Sequence, residues 1–158
     1  MAEEISPDTA LSEFAGQLFF RLWRASHTRA AEALESVGLT TATFGVLNVL
    51  GAHEGANQQE IGSAMGIEPS TMVSLIDELE AKGLAKRQPH PNDRRARAVV
   101  LTAKGRRVRE RSRQMASQAE DEVLGGLSAA DRQELLRLLR LAHGSAPPQP
   151  PWRAEEGD

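Results

Sequence analysis

A chain of 158 residues, 40% hydrophobic and 26% charged, can bury one ordinary core without help from metals or crosslinks. It has no cysteine, so disulfides, thiolate metal sites, cysteine nucleophiles and thiol-based redox sensing are excluded. The net charge of −3 hides a segregation: Lys82 to Arg113 holds 12 Lys/Arg against 2 Asp/Glu, whereas the remainder holds 7 against 20.

That segregation suits one surface to a polyanion, the alternative being a long charged helix in water. Met1-Ala2-Glu3-Glu4 is acidic and lacks the basic start and apolar run of a secretory leader. The longest uncharged stretch, Ser36 to His53, is interrupted by four Ser/Thr, an asparagine and three glycines, which fits part of a helical hairpin better than a membrane span. A cytoplasmic location with no membrane partner is expected.

Residues 1–8 are polar and expected to be flexible. From about Thr9 to Val37, apolar residues recur every three to five positions (Leu11, Phe14, Leu18, Leu22, Ala25, Ala30, Leu34), which predicts a long amphipathic helix ended by Gly38. A second helix starts on a Thr40 or Thr41 cap, buries Phe44, Leu47 and Leu50, and stops near Gly51. Asn57 and Glu60 make a capping box for a short third helix with Ile61 and Met65 inward, and Gly66 supplies its left-handed stop. Pro69 stands at the first position of a fourth helix whose buried face is Met72, Leu75, Ile76 and Leu79. A short helix, a glycine turn and a second helix form a helix-turn-helix pattern.

Beyond Lys82-Gly83 the period changes. Leu84 to Arg87 and Ala98 to Leu101 read as strands of a hairpin, with Pro89 to Arg95 as a long tip. Thr102 caps a fifth helix reaching about Leu124, and its sparse apolar marks (Val108, Met115, Ala119, Val123) suit a helix that bridges two bodies. Ser128 and Asp131 start a sixth, striped with Leu135, Leu138, Leu139 and Ala142 and stopped by Gly144. Residues 144–158 are rich in proline and acid and are expected to be disordered. The fold class is therefore mainly α with a small β-hairpin wing, a winged helix-turn-helix.

The run Gly66-Ile67-Glu68-Pro69-Ser70-Thr71-Met72, followed by Leu75 to Leu84, Pro91-Asn92-Asp93-Arg94-Arg95-Ala96-Arg97 and Leu101-Thr102-Ala103-Lys104-Gly105, resembles the MarR family of bacterial transcriptional regulators over roughly residues 9–143. The resemblance implies a sequence-specific dimeric DNA-binding regulator, most often a repressor, acting on double-stranded DNA at a pseudo-palindromic operator. It divides 9–143 into dimerisation helices at both ends of the chain (about 9–38 and 103–143), interlaced with those of a second copy, and a DNA-binding lobe (about 40–101).

On the fourth helix the buried face leaves Ser70, Val73, Ser74 and Asp77 to meet base edges in a major groove. Many relatives resemble the chain here except for an Arg or Lys about where Ser74 stands, so this face offers no bidentate guanine contact. Ser70 and Thr71 could instead satisfy backbone donors of the first helical turn. Asp93 and Arg95 resemble the family's wing pair, an arginine in the minor groove oriented by an aspartate. Arg94 and Arg97 then contact phosphate or pair with Asp93, and His90 sits near the exposed tip. Lys86, Arg87, Lys104, Arg106 and Arg107 are further candidate phosphate ligands. Arg109, Arg111 and Arg113 are expected on a solvated face.

Many family members also leave DNA when a small aromatic or phenolic acid enters a crevice between lobe and dimer helices. Phe19, Trp23, Arg24 and His27 on the first helix, with Phe44 and His53 on or near the second, are candidates for such a pocket, or else ordinary core of interlaced helices. Gly45 stands where urate-responsive relatives carry an acid, which argues against that ligand. No metal or cofactor motif is present, and the four histidines have no ligand spacing. No catalytic residue is assigned and an enzyme is not expected. The remaining alternative is a winged-helix protein-interaction module with weak or no DNA binding.

Overall fold

The computed structural model describes residues 14–90 and 93–145; the side chains of His90 and of residues 93–96 fall outside the description. The expected flexible start and all but the first two residues of the expected disordered tail therefore lie outside the described residues.

Six helices and one hairpin follow in order: α1 (Ala15–Glu35), α2 (Thr41–Ala52), α3 (Gln58–Met65), α4 (Pro69–Ala81), β1 (Ala85–His90), β2 (Asp93–Leu101), α5 (Ala103–Val123) and α6 (Ala129–Ser145). Local chemistry sets most of these boundaries. Thr40 and Thr43 close a capping box on α2, and Asn57 and Glu60 close one on α3, each filling backbone donors that a helix start leaves open. Gly66 ends α3 at φ +63°, a left-handed turn that a side chain at Cβ would oppose. The Thr102 hydroxyl caps α5 by accepting from the Gly105 N–H at 2.9 Å, and it donates to the Gly83 carbonyl at 2.7 Å, so it also ties α5 to the end of the α4 turn.

The core gathers Leu34 from α1, Val46, Leu47 and Leu50 from α2, and Ile61 from α3. Met72, Ile76 and Leu79 of α4 and Leu84, Val99 and Leu101 around the hairpin complete it. Each such side chain, fully buried, contributes about 1.5–3 kcal/mol of apolar transfer free energy. Phe44, Met65 and Leu75, expected inward, pack on this core while only partly buried. Strand β2 pairs with β1 on one edge, and on the other Val99 donates to the Ala56 carbonyl at 3.0 Å. Helix α1 packs along α5. By contrast no described residue of α6 is buried, and Leu138 and Leu141 are 47% and 61% exposed.

Two expectations fail. The hairpin has no long tip: pairing runs on through Pro89 to His90 and resumes at Asp93, with a register shift after Pro89. A proline on a strand paired on one side only need not forfeit a ladder bond, so Pro89 marks an edge and not a turn. Gly144 does not stop α6, which continues through Ser145. Glycine in a helix costs only about 1 kcal/mol against alanine, and here the Ser145 hydroxyl donates to Leu141 O at 3.0 Å across that turn. No described helix is long and apolar enough to cross a membrane.

Candidate nucleic-acid interface

Helix α4 buries Met72, Ile76 and Leu79, and this leaves Ser70, Val73, Ser74 and Asp77 exposed on one face. Thr71 is half-buried beside them. The Ser74 hydroxyl lies 3.4 Å from the Ser70 carbonyl. Among the described residues no backbone N–H donates to the hydroxyl of Ser70 or Thr71, and α4 begins on Glu68 without a side-chain cap. The capping alternative for these two residues is therefore not realised.

The basic segment separates into committed and uncommitted cations. Arg87, expected as a phosphate ligand, turns toward α4 and α3. Its guanidinium donates to Asp77 at 2.5 Å, to Glu80, and to the Gln58 side-chain carbonyl at 3.1 Å. Its backbone N–H donates to the same Glu80 at 2.6 Å. Burial alone would lower the pKa of Arg87, but the hydrogen bonds it donates to the Asp77 and Glu80 carboxylates outweigh it and hold the cation above the ordinary arginine value. Lys104 donates to the Lys82 carbonyl at 2.8 Å, and Arg106 to the Leu101 carbonyl at 3.1 Å. Lys82 itself binds Glu78 and the Gly38 carbonyl, both at 2.6 Å. These cations fill carbonyls and carboxylates at element ends: Arg87 is drawn inward, whereas Lys104 and Arg106 each spend a donor on the chain itself and stay exposed. Lys86 and Arg97, by contrast, are exposed, and no ion pair among the described residues holds either. The side chains of His90, Asp93, Arg94 and Arg95 lie outside the described ones.

The six candidates for an effector pocket do not converge. Trp23 stacks obliquely on His27, ring centres 5.1 Å apart, and the His27 ring bonds to the Thr41 hydroxyl at 3.1 Å. Phe19 and Trp23 are 50% and 59% exposed. Arg24 lines a separate groove with Arg21, Arg29 and Glu32 against Glu122 of α5. His53 lines a cleft beside Glu54, Glu60 and Ile61. Phe44 opens onto a third space of about 490 Å3 between α2 and α5, whose other walls include Asn48, Arg109, Arg113 and Ser117. There Arg109, expected on a solvated face, lies against α2: a Cβ on Gly51 would stand 2.3 Å from its guanidinium carbon. Its Nε is buried without an acceptor.

The family model that matches residues 37–96 is that of the MarR family. A "Putative transcriptional regulatory protein for hcr operon" of Thauera aromatica is 31% identical over 130 residues, which cover 80% of this chain and 78% of that protein. The chain belongs to the MarR family. It is a transcriptional regulator of that family, and solved MarR-type structures superpose over nearly their whole length. The repressor CouR bound to a 23-mer DNA duplex is 33% identical, with a TM-score of 0.80 over 89% of this chain and 99% of that one. CouR from Rhodococcus jostii RHA1 bound to p-coumaroyl-CoA matches at 29% and 0.77, again over 89% and 99%. BpsR of Bordetella bronchiseptica, described as regulated in DNA binding by 6-hydroxynicotinic acid, matches at 29% and 0.75 over 86% and 97%.

Within this MarR-family fold, sequence reasoning missed Gln58, Glu80 and the inward turn of Arg109. A signal existed for Glu80 and for Arg109, but none for Gln58. Glu80 follows Asp77 by three residues on α4, and Gly105, Ser112 and Ala119 repeat every seven residues along α5. That repeat marks a close-packed seam, and Arg109, one turn beyond Gly105, lies beside it.

Proposed function

We propose that the chain acts in the cytoplasm as a homodimeric repressor that binds a pseudo-palindromic operator and is released by a small aromatic or phenolic acid, or an activated form of one. The observation that carries the DNA reading is the α4 face: four exposed side chains at i, i+3, i+4 and i+7, with two uncommitted cations, Lys86 and Arg97, exposed on the hairpin that follows. Ser70, Val73, Ser74 and Asp77 read base edges, Lys86 and Arg97 hold phosphates, and Arg95, with Asp93, Arg94 and His90 around it, enters the minor groove. Residues 15–35 and 103–143 pair with a second copy, which covers the apolar side chains that α1 and α6 leave exposed. The protein works by binding and not by turnover.

For the effector, the space between α2 and α5 suits an aromatic anion. Phe44 provides a ring to pack on, and Arg109 brings a buried N–H that lacks an acceptor. CouR with p-coumaroyl-CoA and BpsR with 6-hydroxynicotinic acid support this ligand class.

Fluorescence anisotropy with DNA flanking the protein's own gene tests the proposal. A dimer that neutralises roughly 6–10 phosphates loses about 10³–10⁵ in affinity between 50 and 200 mM salt. Arg95→Ala should weaken specific binding, since it removes the cation that the narrow minor groove attracts; unchanged specific affinity would overturn the wing's part in the reading. Salt-insensitive binding, or equal affinity for operator and scrambled duplex, would favour the protein-interaction module instead.

A further inference from the structure

Alternation along β1 puts Arg87 on the same side as buried Ala85, opposite Val99, and so against α4 instead of toward solvent. Its one guanidinium joins three elements: its own strand, α4 through Asp77 and Glu80, and α3 through Gln58. Glu80 grips it twice, at the guanidinium and at the backbone N–H. Asp77 is different. Only its Oδ1 is bound, its side chain is 57% exposed on the α4 face, and Oδ2 has no partner among the described residues.

A free carboxylate on a recognition helix is repelled by the phosphates on both sides of the groove. With one oxygen fixed by an inward cation, the second becomes an aimed acceptor. In the major groove the hydrogen-bond donors offered by bases are the amino groups of cytosine and adenine, whereas guanine and thymine present acceptors. Resting on the proposed DNA reading, we infer that Arg87 is a positioning residue that holds Asp77 Oδ2 toward the amino group of a cytosine or adenine in each half-site. Asp77 thereby becomes a specificity-determining residue on a helix that lacks Lys and Arg. Arg87 itself touches no phosphate.

The test is anisotropy with the full-length dimer on its operator and on a scrambled duplex of equal length and salt, for the wild type, Arg87→Met, Asp77→Asn, and the double variant. The expected result is that Arg87→Met lowers operator affinity about tenfold or more and scrambled-duplex affinity far less. Adding Asp77→Asn to it should recover much of the loss, because the uncompensated carboxylate is gone. Equal weakening on both duplexes, or no recovery in the double variant, would mean that Arg87 is a phosphate ligand and would overturn the inference. If Arg87→Met does not fold, Arg87→Lys serves: it keeps the charge but cannot bridge two carboxylates and Gln58, so the operator-to-scrambled ratio should still fall, and an unchanged ratio overturns the inference. A wild type without operator preference overturns the DNA reading itself; normal wild-type preference with unaltered variants sinks only the role given to Arg87 and Asp77.

Discussion

Two neighbouring cations on β1, Lys86 and Arg87, meet opposite environments because successive side chains of a strand point to opposite faces. Lys86 is exposed, while the Arg87 side chain is three-quarters buried against α4. Their loss should therefore be felt differently. On the proposed DNA reading, Lys86→Ala removes a phosphate contact from each half of a dimer, so binding to operator and scrambled DNA should weaken alike. The slope of log K against log salt should become shallower by roughly 1.8, at about 0.9 for each phosphate. An unchanged slope would take Lys86 out of the interface. At Gly51 the neighbour matters in a different way. Alanine is the better helix former by about 1 kcal/mol, yet its Cβ would stand 2.3 Å from the Arg109 guanidinium, the mobile end of a long side chain. The guanidinium can yield, so thermal stability should hold or rise. Release from operator by an aromatic acid should need about tenfold more ligand, and an unaltered dose response would show that Arg109 does not line the effector site.

At the scale of elements, α5 enters the lobe at a point where only hydrogen fits. A Cβ on Gly105 would lie 1.9 Å from the Leu84 carbonyl oxygen, and that oxygen already accepts from the Thr102 N–H at 3.0 Å. Backbone cannot yield as a side-chain tip does. Gly105→Ala should thus destabilise by about 1–3 kcal/mol through overpacking, lowering the melting midpoint by about 2–4 °C for each kcal/mol in a chain of this size. A variant that melts with the wild type would disprove the close approach. The same local chemistry explains which features could be read in the sequence. Thr40, Asn57 with Glu60, Gly66, Thr102 and Ser128 act within three or four residues of themselves, so the starts of α2, α3, α5 and α6 and the α3 stop were legible; α1 was expected from about Thr9 but is described from Ala15, after an extended Phe14 without a side-chain cap. Pro89 misled because a turn and an edge strand both tolerate a missing N–H, and only the pairing partner distinguishes them. On the candidate interface, the exposed face of α4 followed from its apolar period. The fates of Arg87, Lys104, Arg106 and Arg109 did not, since each is decided by a carbonyl, a carboxylate or a glycine on another element. The scattered effector candidates have the same origin: residues eight apart on one helix share a side, but nothing local says which of them another helix will cover.

For the whole molecule, the described chain leaves unusual apolar surface in two places. Phe14 just before α1, Phe20 and Trp23 on α1 and Leu141 on α6 are all more than half exposed, with Leu138 close to that. A monomer with patches of this kind would be prone to association, and helices from both ends of the chain carry them. The proposed dimer covers them and holds two α4 faces at a fixed separation, which operator recognition by two half-sites requires. Replacing Leu138 and Leu141 together with aspartate adds four charges to a dimer's buried seam. Neither residue touches the lobe core, so the lobe should keep its fold, seen as retained helical circular dichroism. Sedimentation should give half the wild-type mass. Each monomer then meets one half-site, so operator affinity should fall by more than about 100-fold, and the slope of log K against log salt should be about halved because only half the phosphates are neutralised together. A double variant that sediments as a dimer would place the subunit contact elsewhere. One that is monomeric yet binds its operator with wild-type affinity and slope would show that a single lobe suffices for recognition.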